Sequence, residues 1–124
     1  MTQRPTQPYD AYIFDLDGTV YLGDALLPTV HRTITLLRST GKRTVFLSKN
    51  PSHAILNLLQ LAPERCIMTG DRLETDVQMG LNAGMAAALT LTGATTLQDA
   101  ALSSIKPHFM LNDLGDLLPQ VPTE

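Results

Sequence analysis

Two hydrophobic periods alternate along the chain. Ala11-Tyr12-Ile13-Phe14 is apolar without a break, the pattern of a central parallel strand covered on both faces. After a Gly-containing loop, Val30, Ile34 and Leu37 recur at helical spacing, with Pro28 suited to a first turn and Gly41 to a C-terminal stop. Thr44-Val45-Phe46-Leu47 predicts a second strand ending at Ser48, and Pro51 opens a helix through Ile55, Leu58 and Leu59 that Pro63 and Glu64 break. Cys66-Ile67-Met68-Thr69 predicts a third strand running into Gly70-Asp71. The helix after it carries Leu73, Val77 and Leu81 and exits at Gly84. Ala86 to Leu91 reads as a fourth strand, Thr96 as the N-cap of a helix over 97–102, and His108 to Leu111 as a fifth strand. Asn112 is expected to cap a last helix that Pro119 ends. Strands separated by helices predict an α/β fold with a parallel sheet of about five strands in the order 2-1-3-4-5. Residues 1–9, polar and proline-containing, read as a flexible tail, and 10–124 as a single domain.

Composition narrows this picture. A chain of 124 residues with 44% hydrophobic and 17% charged content suffices for one packed core and is too short for two. A net charge of −3 gives neither a nucleic-acid footprint nor an anchor for acidic lipid, so neither partner is expected. Val77 to Gln98 carries no charge, yet Gly80, Asn82, Gly84, Gly93 and its threonines mark buried soluble structure rather than a membrane span. The first ten residues lack the apolar core of a signal peptide, and the lone Cys66 cannot form an internal disulfide; both lead to the expectation of a cytoplasmic protein.

Three segments carry candidate chemistry. Asp15-Leu16-Asp17-Gly18-Thr19 follows the buried first strand directly. Residues two apart at a strand end point the same way, so two carboxylates are expected in the crevice at the carboxyl edge of the sheet. Neighbouring anions need a cation or a shared proton, and a hard Mg²⁺ with oxygen ligands would supply the first. An Asp pair in a capped turn is the bland alternative. Gly70-Asp71 ends the third strand, and Asp76 lies in the first turns of the next helix. Capping and dipole pairing account for Glu74 and Arg72, whereas Asp71, on a strand expected beside the first, could hold a metal jointly with Asp15. Ser48-Lys49-Asn50 places a hydroxyl and an ammonium at the same edge, a weak phosphate cradle by itself. His31, His53 and His108 show no metal spacing, Cys66 reads as inert, and the methionines read as core.

Taken together, the segments resemble the haloacid-dehalogenase-like (HAD) phosphohydrolases, from about Tyr12 to Leu118. Asp15 to Thr19 looks like the first family motif, Ser48 like the second, and Gly70-Asp71 with Asp76 like the fourth. Thr19 to Gly23, Phe46 to Asn50, Leu89 to Gly93 and Lys106-Pro107 are similar to the NagD-like branch (subclass IIA) of sugar, nucleotide and nitrophenyl phosphatases. The resemblance implies a three-layer Rossmann-like core and a Mg²⁺-dependent phosphomonoester hydrolase. In it Asp15 would be the nucleophile that forms an aspartyl-phosphate, and Asp17 the general acid and base. Ser48, with Lys49 and Asn50, would bind the phosphoryl group. Mg²⁺ would be held by Asp15, the Asp17 carbonyl, Asp71 and Asp76, and the substrate would be a small phosphomonoester.

The chain departs from that branch in one place. Only about twenty residues separate Ser48 from Gly70, room for one helix and none for the mobile cap and third-motif lysine that members carry there. Lys49 therefore either points elsewhere or substitutes for that lysine. Without a cap the crevice is open, and a homo-oligomer could cover it; the lost strand also leaves the second strand's edge exposed to another copy. The alternatives are a shortened, non-catalytic HAD core that binds Mg²⁺ and phosphate, and a receiver-like phosphoacceptor domain. A receiver's nucleophile ends the third strand, which fits Asp15 poorly; a flavin-binding module fits less, for want of a Ser/Thr-rich loop after the first strand.

Overall fold

A computed structural model describes residues 4–47 and 52–118, side chains at 52–55 excepted. The chain runs β1 (Ala11–Asp15), β2 (Tyr21–Leu22), β3 (Ala25–Leu26), α1 (Val30–Ser39), β4 (Arg43–Leu47) and α2 (Ser52–Leu59). A 3₁₀ turn at Pro63–Arg65 then leads into β5 (Cys66–Gly70). A π-helical turn at Leu73–Val77 continues as α3 (Gln78–Asn82), followed by β6 (Ala86–Thr90), α4 (Leu97–Leu102), β7 (Phe109–Leu111) and a 3₁₀ turn at Leu114–Leu117.

Five strands form one parallel sheet in the order β4-β1-β5-β6-β7. This is the predicted order, since β2 and β3 pair only with each other, as an antiparallel hairpin. The hairpin escaped the sequence reading because its strands have two residues each and no alternating run. Side-chain alternation explains why β1 had to be wholly apolar. Ala11 and Ile13 join Leu47, Met68 and Met85 on one face, while Tyr12 and Phe14 join Val30, Leu37 and Leu111 on the other. Burial of each large side chain contributes about 1.5–3 kcal/mol, so a polar residue on either face of β1 would weaken one layer. α1 and the last 3₁₀ turn cover the Phe14 face. Residues of α2, the π turn and α4 cover the opposite one through Leu59, Val77 and Ala100.

Local details depart from the expectation in three places. Pro28 lies in the turn before α1 rather than in its first turn; Thr29 takes a left-handed backbone (φ 67°), and its hydroxyl bonds Asp113 Oδ1 at 3.0 Å. The final helix is a single 3₁₀ turn, capped by Asp113 rather than Asn112: the Gly115 N–H donates to Asp113 Oδ1 at 2.8 Å. In the segment read as a flexible tail, Arg4 donates to the Leu118 carbonyl at 2.8 Å and pairs with Asp116, Pro5 is buried and Tyr9 packs against the core, while Thr6, Gln7 and Pro8 are exposed. Thr96 does cap α4, in a reciprocal capping box with Asp99. No helix among the described residues is long and apolar enough to cross a membrane.

α3 approaches the sheet closely at Gly80, where a Cβ would lie 2.9 Å from Met68 Cβ and 3.4 Å from Ala87 Cβ. Overpacking of this kind costs about 1–3 kcal/mol, more than the few tenths that valine gains over glycine in helix propensity. Gly80→Val is expected to lower the free energy of unfolding by about 1–3 kcal/mol in a denaturant titration; an unchanged midpoint and slope would refute the close packing.

Candidate active site

β1, β5 and the π turn deliver three carboxylates to one point at the carboxyl edge of the sheet. Asp15 is the last residue of β1 and is half-buried. Asp71 follows β5 directly and is 3% exposed, and Asp76 sits in the π turn at 5%. One oxygen from each lies within 4.8 Å of the others. Asp76 reaches the cluster because it shares an inward face with Leu73, Val77 and Gly80, spaced three and four residues apart.

Glycines make the cluster fit. Gly18 has φ +80°, and a Cβ there would overlap the Asp71 carboxylate; one at Gly93 would overlap it from the other side, and one at Gly70 would overlap Asp76. Asp71 is thus held between the loop after β1 and the loop after β6. Its Oδ2 accepts from the Ala94 N–H at 2.8 Å, and the Thr92 hydroxyl donates to the Gly18 carbonyl at 2.7 Å, tying the two loops together. Asp76 Oδ2 accepts from the Arg72 N–H at 3.2 Å.

The electrostatics are unfavourable for three bare anions. Burial first, and then the charges of Asp76 and Asp71, push the Asp15 carboxyl up to about 7. Burial also lifts Asp76 to about 6, with Asp71 adding repulsion against the lowering effect of the Arg72 N–H. Asp71 Oδ1 is buried with no hydrogen-bond partner. An unpaired buried acceptor costs about 1–3 kcal/mol, and more when charged. A small divalent cation would satisfy that oxygen and relieve the repulsion in one step. The donor set, all carboxylate oxygen, suits Mg²⁺ rather than a softer metal. The residues present fit a metal.

Of the sequence candidates, Asp15, Asp71 and Asp76 come together. Asp17 lies in the turn beyond β1, exposed, with its side chain outside the carboxylate cluster. Ser48, Lys49 and Asn50 lie outside the described residues; His53 falls in α2, its side chain outside them. Arg72 and Glu74 are exposed, as expected of surface residues. Lys106 is tied to the Ala100 and Ala101 carbonyls at 3.2 Å, and His108 Nδ1 accepts from the Ala87 N–H at 3.0 Å; both serve the fold. Cys66 is buried and unpaired with any sulfur, and burial pushes its thiol up, away from the reactive thiolate form. The loop Thr92-Gly93-Ala94 received no role from the sequence. Its signals were the resemblance of Leu89 to Gly93 to the NagD-like branch and a glycine two residues beyond the fourth predicted strand, at the edge where ligands bind.

The sequence and fold match known proteins in the same sense. A HAD-hydrolase-like family model matches residues 48–117, more than half of the chain, and a haloacid dehalogenase-like hydrolase model matches 12–63. Glycerol-3-phosphate phosphatase of Homo sapiens is 39% identical over 99 residues, covering 69% of this chain and 31% of that protein. The Gallus gallus protein of the same name is 29% identical over 110 residues, 78% of this chain and 35% of its own. The chain thus spans about a third of the length of these relatives. Among solved structures, a 4-nitrophenylphosphatase from Thermotoga maritima superposes with a TM-score of 0.83 at 18% identity, covering 90% of this chain and 98% of that one. NagD from E. coli K-12 gives 0.80 at 11% identity, with 92% and 100% covered. At such identities the two structures establish the shared fold, while the family model matches more than half of the sequence itself: the chain belongs to the haloacid dehalogenase-like hydrolases, in keeping with the NagD-like wording of its motifs.

Proposed function

We propose that the chain is a Mg²⁺-dependent phosphomonoester hydrolase that works through an aspartyl-phosphate on small phosphates. The observation that carries this is the buried, unpartnered Asp71 oxygen beside Asp15 and Asp76. Bound there by Asp15, Asp71 and Asp76, with the Asp17 carbonyl, Mg²⁺ would neutralise phosphoryl oxygens and hold Asp15 ionised. Asp15 is the half-buried member of the three and therefore the one a phosphate can reach. Its carboxylate attacks phosphorus in line, forming a P–O bond to Asp15 as the bond to the leaving alkoxide breaks. Asp17, exposed at the mouth, protonates that alkoxide and then takes a proton from the water that cleaves the acyl phosphate. Ser48, Lys49 and Asn50 follow β4, whose Leu47 is the register partner of Asp15, a position suited to binding the phosphoryl oxygens.

The relatives support the substrate class. Curated matches are named glycerol-3-phosphate phosphatase and chronophin, and a glycerol phosphate phosphatase from Mycobacterium tuberculosis with the same fold was solved with magnesium (TM-score 0.63). The alternative remains a core that binds metal and phosphate without turnover. A receiver-like acceptor is set aside by family membership and by the place of Asp15 on β1.

Hydrolysis of 4-nitrophenyl phosphate separates the readings. Asp15→Asn is expected to lower kcat about 10³-fold or more, and Asp17→Asn about 10²–10⁴-fold, with both variants folded and chelator abolishing the wild-type rate. Equal rates in wild type and Asp15→Asn would leave the non-catalytic reading.

Metal and pH act on stability through the same carboxylates. Folded Asp15 and Asp76 titrate near 7 and 6, above the ordinary value of 3.8. The folded state therefore binds more protons than the unfolded one between about pH 4 and 7. With chelator present, Tm should fall as pH rises through that window. Saturating Mg²⁺ should raise Tm, and by more at pH 8 than at pH 5, because only ionised carboxylates bind it. A chelated Tm that is flat from pH 4 to 7, or an equal Mg²⁺ shift at both pH values, would contradict the assignment. Asp76→Asn should flatten the chelated profile.

A further inference from the structure

We infer that this chain self-associates through the free edge of β4, two copies pairing their β4 strands antiparallel about a two-fold axis at Val45. The hydrogen-bond parity of β4 defines the contact. Arg43 lies opposite Ala11 in the parallel ladder, and its N–H donates to the Asp10 carbonyl at 3.0 Å. Backbone groups alternate sides along a strand. Arg43, Val45 and Leu47 therefore bond inward to β1, while Thr44 and Phe46 turn their N–H and C=O outward from the sheet. β4 is the end strand, and no described residue pairs with that side.

A second copy of the same strand completes these groups. With Val45 facing the partner's Val45 as a non-hydrogen-bonded pair, Thr44 stands opposite the partner's Phe46 and exchanges both N–H···O bonds with it. Arg43 stands opposite the partner's Leu47, so no like charges are apposed along the ladder. Within β4 there is no proline and no bulge, and its one charged residue, Arg43, lies at the amino end, away from the outward-facing Thr44 and Phe46 backbone groups.

Charge and apolar surface favour the antiparallel orientation. Lys42 and Arg43 stand at the amino end of β4, while Asp15, Asp71 and Asp76 gather at the carboxyl end of the sheet; Arg38 lies over the middle of the strand, bonded to Thr44 Oγ1 at 2.8 Å. Antiparallel pairing brings each basic end toward the partner's acidic end, and the two-fold axis repeats the attraction. Phe46 is 37% exposed, stacked on Phe14 at 5.6 Å, and borders a cleft of about 480 Å³ shared with Tyr21 (41% exposed) and Leu26 (50%). The cleft lies beside the edge, where a second copy would reduce its contact with water.

Residue-resolved amide exchange and sedimentation on the 124-residue chain, from about 1 μM to 1 mM, test the inference. Mass should rise with concentration from one chain toward two, and exchange at Thr44 and Phe46 should slow in parallel, while Val45 stays protected throughout. Lys42→Glu should raise the dissociation constant about two- to fivefold, the scale of one exposed ion pair, and added salt should weaken association in the same direction. Thr44→Pro, which removes an outward N–H and keeps the inward bonds, should leave a folded monomer. Should that variant not fold, exchange in the unmodified chain still decides. A chain monomeric throughout overturns the inference. So does a dimer whose Thr44 and Phe46 amides exchange as fast as in the monomer. Protection of those amides in a monomer also overturns it, since the chain's own residues would then cover the edge.

Discussion

Three carboxylates crowded into a space that water barely enters are the constraint around which this fold is arranged. Mutual repulsion and burial both oppose ionisation, which is why Asp15 is pushed to about 7 and Asp76 to about 6. An arrangement with that penalty persists only where something outweighs it. The backbone supplies part of the compensation, through the Ala94 N–H on Asp71 and the Arg72 N–H on Asp76. These two bonds leave Asp71 Oδ1 unpaired. Gly18, Gly70 and Gly93 keep every larger side chain away from the carboxylates. The local structure therefore conserves space and negative charge at one point, as a cation site requires.

Most of the fold was legible in the sequence, and the reason is periodicity. The unbroken apolar runs of β1 and β5 required two covered faces, and hence a parallel sheet with helices on both sides. What stayed hidden was short or depended on geometry beyond sequence spacing. The hairpin of Tyr21–Leu22 with Ala25–Leu26 is too brief to show alternation. The π-helical turn at Leu73–Val77 keeps the apolar spacing of an ordinary helix, so nothing in the pattern distinguished it. Arg4 anchors to Leu118 across the whole length of the chain, a contact no local window contains.

The candidate site divides in the same way. Asp15 and Asp71 could be found because each ends an apolar run at the edge where open α/β sheets bind ligands. Asp76 was visible as a carboxylate in the first turns of the helix after β5 and as part of the fourth motif by resemblance, although capping explained it equally well until its burial was known. The second loop around Asp71 was not visible as such. Thr92, Gly93 and Ala94 act through a backbone N–H, a missing Cβ and a hydroxyl bonded to the Gly18 carbonyl. None of these is chemistry that a residue type announces.

The link between β4 and β5 connects the site to the edge. Its described part holds α2 and one 3₁₀ turn, so β1 has β4 on one side and β5 on the other, with no described strand beyond β4. The two family models overlap on this stretch, at residues 48–63, although the matched relatives are about three times longer. In the parallel register Leu47, the last residue of β4, lies beside Asp15. Among the described residues, no strand pairs with the outward N–H and C=O groups of Thr44 and Phe46. The strand order that gathers the three carboxylates at one end of the sheet is therefore the same order that sets β4 at its edge.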